Sequence, residues 1–319
     1  MHYDVFNGDA DGIISLLQLR LAVPKKAALV TGLKRDIKLL DAVHCSLGDT
    51  LTVLDISMRS NMARLKQILA GGASVFYADH HQAGSIPQDP NLDAHIDLDA
   101  NVCTALIIDK LLGGRFHHWA IVAAYGDNLC AKADELASAA GLDKAQRAQL
   151  SELGKLINYN GYGASLEDLN FLPDELYRRL LAYENPFAVI GDPLSPYSVL
   201  RESYQQDFNQ VISIPPLHQS HCLLVVELPD SSASRRISGV YGNWLSNQSP
   251  ELAHIVLTHN QDGSFKVSLR APSDNRYGAG DLCAQFISGG GRAGAGGINT
   301  LTKAQLPTLI SKVEKFYSQ

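Results

Sequence analysis

Short apolar runs alternate with helix-periodic stretches through the first 112 residues, and this alternation restricts the fold more than any other feature. Four or five consecutive apolar residues suit a buried strand, whereas apolar residues recurring every three or four positions suit a helix. Strands are predicted over 3–6, 27–31, 51–54 and 74–77, with a fifth over 95–98. Helices are predicted over 13–19, 36–43, 60–69 and 102–112, the second following Asp36 and the third carrying Met62, Leu65, Ile68 and Leu69. The pattern is that of an α/β domain built on a mostly parallel sheet. In such sheets ligands gather beyond the carboxyl ends of the strands. Acids recur at that place: Asp9 and Asp11 after the first strand, Asp55 after the third, and Asp79-His80-His81 after the fourth.

The remainder divides in two. Residues 119–183 are mainly helical in pattern, with Asp127 in the polar step Gly126-Asp127-Asn128. Prolines then mark a boundary over 186–216 that contains one helix, predicted over 198–211. Beyond it, strands over 222–228, 255–257 and 265–270, a helix over 282–286, a glycine loop over 289–297 and a closing helix over 306–316 make a smaller α/β unit. The expected organisation is a first domain over 1–190, a linker over 191–215 and a second domain over 216–319. A chain of 319 residues can bury a core in each.

Composition narrows the function. The net charge of -6 argues against tracking long duplex nucleic acid, which needs many cations on phosphates. It leaves room for a small anionic substrate held by a few local cations. Aromatic residues are only 7% of the chain, and no stacking module for a long single strand is evident. Five cysteines, odd in number and never spaced as CxxC, read as reduced thiols in a cytoplasmic protein. The opening Met1-His2-Tyr3-Asp4 lacks a basic and then apolar leader, so no signal peptide is expected. No apolar run reaches the ~20 residues of a membrane span. His117-His118 reads as helix surface.

Two carboxylates at i and i+2, a third on a neighbouring strand end, a histidine and a fourth aspartate form a two-metal constellation. Carboxylates hold Mn²⁺ or Mg²⁺, and an imidazole tilts the choice towards Mn²⁺. Two ions about 4 Å apart would hold phosphate oxygens and activate a water for in-line displacement. Each aspartate taken singly is equally readable as a cap or turn residue, Asp11 before its helix above all.

Asp9-Ala10-Asp11-Gly12, Asp55, Asp79-His80-His81 and Asp127 are similar, in order and spacing, to the four motifs of the DHH phosphoesterase superfamily. Gly289-Gly290-Gly291-Arg292 with Ala295-Gly296 resembles the glycine motif of the DHH-associated C-terminal domain. The resemblance covers nearly the whole chain, and its first turn is closest to the RecJ-like branch. It implies two domains, two Mn²⁺ ions in the first (Mg²⁺ or Co²⁺ as substitutes) and substrate held in a cleft between the domains. Carried over by position, Asp9 ligates the first metal, Asp55 bridges both, and Asp11, His80 and Asp127 complete the second. Asp79 orients a ligand, and His81 faces the scissile phosphate or its leaving oxygen. Val5 departs from the pattern, because many members carry a histidine there as a further ligand of the first metal. Asn7 or water is the expected stand-in.

The glycine run could also be a dinucleotide fingerprint, but it follows a helix pattern and no acidic residue lies about 20 positions on. A backbone surface for close approach of a phosphate or base fits better. Arg292 inside it and Arg270 at a nearby strand end would capture phosphate, while Arg276 reads as surface charge. Arg292 stands where the family often has histidine, which keeps a cation there.

The function expected is Mn²⁺-dependent hydrolysis of phosphodiester or phosphomonoester bonds in short oligonucleotides or (di)nucleotides. The alternatives are a RecJ-like single-strand exonuclease and a nucleotide-binding regulatory protein with weakened turnover. Inorganic pyrophosphatase is disfavoured, since Arg235-Arg236 is the lone basic pair available to grip a tetra-anion in the second domain. A homodimer is left open.

Overall fold

The computed structural model describes residues 1–318. Two compact units divide between Glu202 and Ser203. In the first, strands β1 (His2–Phe6), β2 (Ala28–Val30), β3 (Thr50–Leu54), β4 (Ser74–Asp79) and β5 (Leu92–Ile96) form one sheet. The order is β2-β1-β3-β4-β5, and every pairing is parallel. Helices α1 (Ala10–Ala22), α2 (Met58–Ala70), α3 (Thr104–Leu111), α4 (His117–Gly126), α5 (Cys130–Ala139), α6 (Lys144–Asn160), α7 (Pro173–Leu180) and α8 (Pro186–Gly191) accompany it. Helix α9 (Pro196–Val211) runs through the division and occupies much of the stretch expected to be a linker.

This strand order reverses direction between β1 and β3, which makes their carboxyl ends the topological switch point where ligands bind in open parallel sheets. Asp9 follows β1 and Asp55 follows β3, so the two acids lie on either side of that point. The core beneath them is made by alternate strand residues: Val5, Leu51, Val53, Val75 and Tyr77 pack with Leu65, Ile68 and Leu69 of α2. Each large aliphatic side chain buried there contributes about 1.5–3 kcal/mol.

Three local expectations are corrected. The helix expected over 36–43 shrinks to a single 3₁₀ turn, Leu39–Ala42. Its backbone is drawn elsewhere: Asp36 accepts from the Leu33 amide at 2.8 Å, and Asn61 takes the Leu40 amide and the Ile37 carbonyl. The fifth strand runs over Leu92–Ile96, starting three residues earlier than expected. His117 is only half exposed and binds Asp109 at 2.6 Å, so it pins α4 to α3 where a bare helix surface was expected.

The second unit contains β6 (His218–Gln219), β7 (Leu223–Glu227), α10 (Ser232–Gln248), β8 (Ala253–His259), β9 (Phe265–Arg270), α11 (Ala279–Ala284), β10 (Gly289–Arg292), β11 (Ala295–Leu301) and α12 (Leu306–Tyr317). Its sheet has the order β10-β11-β9-β8-β7-β6 and is mixed, with β7 and β8 the parallel pair. Leu223, Val225, Ile255, Leu257, Val267 and Leu269 bury one face with Leu309 and Val313 of α12. Helix α10 was absent from the sequence reading. Its serines and glycines favour helix weakly, and it starts from an N-cap, Ser231, whose hydroxyl accepts from the Ser234 amide at 3.1 Å. The glycine loop is also corrected: Gly289–Arg292 and Ala295–Leu301 pair as an antiparallel hairpin.

Candidate metal centre

The site grows from five helix and strand ends. Asp9 is the N-cap of α1, its Oδ1 accepting from the Asp11 and Gly12 amides at 3.0 and 3.1 Å. Gly12 has no substitute here, since a Cβ would lie 2.2 Å from the Asn7 carbonyl oxygen. The motif turn is thus shorter than the sequence suggested: Asp11 lies inside the first turn of α1, not before it. Its carboxylate then caps another helix, accepting from the Thr104 and Ala105 amides of α3 at 2.7 Å each. The positive end of α3 steadies that charge, and the cap residue Cys103 makes no side-chain cap bond of its own.

Asp55 leaves β3 with φ of 58°, a left-handed conformation that aspartate tolerates better than most residues. Its carboxylate is buried and accepts from the Thr104 hydroxyl at 3.2 Å. His80 follows β4, and its Nδ1 lies 2.9 Å from the Val102 carbonyl oxygen. A carbonyl only accepts, so Nδ1 carries the proton and the lone pair of a neutral ring is on Nε2. That Nε2 faces Asp55 Oδ1 at 3.5 Å and Asp11 Oδ2 and Asp127 Oδ2 at 3.9 Å each. Asp127 arrives from the far end of α4.

His81 lies near enough to Asp55 and His80 for the three to share an ion. Its Nδ1, however, is committed to Asp79 Oδ1 at 2.7 Å. Asp79 therefore orients His81, while the Val102 carbonyl orients His80. The second oxygen of Asp79 is buried and has no hydrogen-bond partner among the described residues.

Electrostatics follow the crowding. Burial, with repulsion from Asp11, Asp9, Asp79 and Asp127, pushes the Asp55 carboxyl well above its ordinary value. Burial and the neighbouring acids raise Asp127 to about 6. His81 is raised chiefly by its hydrogen bond to Asp79. Asp9 alone goes the other way: burial would raise it, but Lys34 outweighs that and holds it low. Lys34 Nζ donates to Asp9 Oδ2 at 2.5 Å and to Asn158 Oδ1 at 3.0 Å, and lies 3.9 Å from Asp127 Oδ1. Sequence reading missed this lysine. The signal was available in kind: Lys34 follows β2 on the same edge as Asp9, where charged loop residues meet ligands.

The donors fit a divalent ion. Asp11, Asp55 and Asp127 would supply oxygen and His80 a pre-set nitrogen, a mixed O/N set suited to Mn²⁺, Fe²⁺ or Zn²⁺. Without a cation, burial and then mutual repulsion hold the Asp55 and Asp127 carboxyls above their ordinary values. Asn7, expected with water as a stand-in for the absent histidine, has both side-chain polar atoms on backbone groups. Its Nδ2 donates to the Lys34 carbonyl at 3.2 Å and its Oδ1 accepts from the Asp9 amide at 3.2 Å. Val5 is fully buried in the core.

The residues expected to bind substrate lie in the second unit. Register aligns Arg292 with Ala295, and Ala295 with Arg270, so both arginines occupy one row across the sheet, ~10 Å apart. Arg292 is exposed, whereas Arg270 is held by Asn243 Oδ1 and Ser268 Oγ, each at 2.9 Å. The glycines split by role. Gly296 touches α11, and a Cβ there would lie 2.4 Å from the Ala279 carbonyl oxygen. Gly289 and Gly291 likewise abut backbone, but a Cβ on Gly290 would meet nothing within 4 Å. Part of the run is packing, and Gly290, beside the arginine row, is open.

Among the described residues no helix is long and apolar enough to cross a membrane. No family model matches the sequence, and no curated protein is similar to it at a meaningful level. Solved structures are similar over the whole chain. An exonuclease RecJ bound to manganese is 16% identical with a TM-score of 0.62, covering 100% of this chain and 90% of its own. RecJ from Thermus thermophilus, in complex with Mn²⁺, is 18% identical with a TM-score of 0.65 over 99% of this chain, which spans only 52% of that protein. A pGpG-specific phosphodiesterase from Vibrio cholerae is 15% identical with a TM-score of 0.59, covering 100% of this chain and 99% of its own. The fold of this chain is thus the one shared by these RecJ and phosphodiesterase structures.

Proposed function

We propose that this chain is a Mn²⁺-dependent phosphoesterase that hydrolyses phosphodiester bonds in linear dinucleotides or short oligonucleotides. The observation that carries the reading is the convergence of Asp11, Asp55 and Asp127 on His80 Nε2 at 3.5–3.9 Å, with the tautomer set by Val102. An ion held there supplies Lewis-acid polarisation of a phosphoryl oxygen. His81, raised by its bond to Asp79 and nearly half exposed, is placed to give a proton to a leaving oxygen. Arg292, Arg270 and the open glycine floor suit a phosphate or base that does not react. A short substrate is favoured by the acidic net charge and by the likeness to the pGpG phosphodiesterase across nearly all of both chains.

A Mn²⁺ hydrolysis panel tests this: linear and cyclic dinucleotides, adenosine 3′,5′-bisphosphate, pyrophosphate, bis-p-nitrophenyl phosphate and end-labelled single strands. Linear dinucleotides should turn over fastest and pyrophosphate not at all. Mn²⁺ binding without turnover of any phosphodiester would remove the proposal. Processive shortening of the end-labelled strand would establish the second reading, a single-strand exonuclease, which the likeness to RecJ favours.

A further inference from the structure

We infer that the ammonium group of Lys34 takes one of the two cation positions in the acid cluster, so that the centre holds a single divalent ion. The inference rests on the metal-dependent reading above and concerns what this chain's own residues do to it.

Asp127 reveals the layout. One of its oxygens faces His80 Nε2 at 3.9 Å and the other faces Lys34 Nζ at 3.9 Å. The carboxylate therefore lies between the ion position offered by His80 Nε2 and the ammonium, as a shared ligand between two ions would. On the His80 side the donors are open to an ion: each Asp11 oxygen accepts one amide and keeps a second lone pair. On the Lys34 side they are not. Asp9 Oδ1 already accepts two amides, and Oδ2 is held by the ammonium at 2.5 Å.

The lysine is built into place. Its amide donates to the Gly161 carbonyl at 3.2 Å, its carbonyl accepts from Asn7, and its Nζ is held by Asn158 as well as Asp9. A side chain anchored at both ends gains a fixed position that a solvent-exposed lysine lacks. No imidazole competes for that side, since Val5 is in the core and Asn7 is bound to backbone. A covalently attached cation cannot dissociate, so the centre is completed by one ion and its loading is non-cooperative.

The test uses the full chain loaded with MnCl₂ and dialysed, with metal counted by mass spectrometry and examined by electron paramagnetic resonance. The expected result is one Mn²⁺ per chain with an uncoupled six-line spectrum. Lys34→Ala is expected to admit a second, weaker ion, raising the count towards two and producing exchange-coupled lines. Two coupled ions in the unaltered protein would overturn the inference. So would a folded Lys34→Ala variant that binds one ion with unchanged affinity. If that variant does not fold, the count on the unaltered chain still decides. No bound Mn²⁺ at all would sink the phosphoesterase reading itself, a distinguishable failure.

Discussion

The acid-lined edge of the first unit and the glycine–arginine face of the second solve opposite problems. The first gathers buried charges and fixes each by backbone: Asp9 on its own helix, Asp11 on the amides of α3, His80 on Val102. The second offers the exposed Arg292 guanidinium beside glycines that present little but main chain. Chemistry at a charged centre needs donors whose positions do not relax, because their geometry is what stabilises developing charge. Binding a non-reacting group needs a reachable surface, and tolerance there is greater.

That contrast should break first, and most widely, at Asp55. Asp55→Asn is expected to lower turnover by about 10³-fold or more. Stability of the metal-free chain should hold or rise, because the carboxyl is raised by burial and like charge, and asparagine accepts the left-handed backbone. Steady-state kinetics with a metal-free melt checks both, and near wild-type turnover would discard the assignment. Next, Gly296→Val is expected to destabilise the second unit by about 3 kcal/mol or more through its clash with α11. Gly290→Ala should leave the melt unchanged and only weaken substrate binding, and equal losses from both would erase the division of roles among the glycines.

The arginines sharpen the comparison further. Arg292→Ala should raise KM about tenfold with little change in kcat, since it would hold the substrate alike in ground and transition states. Arg270→Ala should also cost about 1–2 kcal/mol of stability, because it ties β9 to Asn243 of α10. A fall in kcat alone for Arg292→Ala would place it at the reacting centre. A pH-dependent effect is expected at His254, buried in β8, where burial depresses the imidazole to about 4. Between pH 6.5 and 4 the unfolded chain takes up a proton there and the folded chain does not, so stability falls with pH by at most about 1.4 kcal/mol per unit. His254→Leu should flatten that slope in chemical denaturation, and an unchanged slope would assign it to other groups.

Legibility followed how local each cause was. The strands of the first unit and the acids at their ends could be read directly, because a strand buried on both faces must be an apolar run and the polar residue after it is conspicuous. The helix expected after Asp36 failed since Asn61, 21 positions from Leu40, takes its backbone groups. Helix α10 went unread because serine and glycine carry no helical signal until the sheet covers them. The glycine run gave away its openness but not its pairing, which depends on β9 alongside.

By itself the sequence determined which residue types would be at the carboxyl edge of a parallel sheet, because strand periodicity and chain order are local properties. Only the tertiary structure decided which of them face one another: that β1 and β3 are neighbours, that His81 leans on Asp79 while His80 leans on Val102, and that Lys34 enters the cluster beside Asp9. The physical reason is that charge acts through space. A lysine 25 residues from Asp9 is no different in sequence from any surface lysine until the fold brings its ammonium to 2.5 Å.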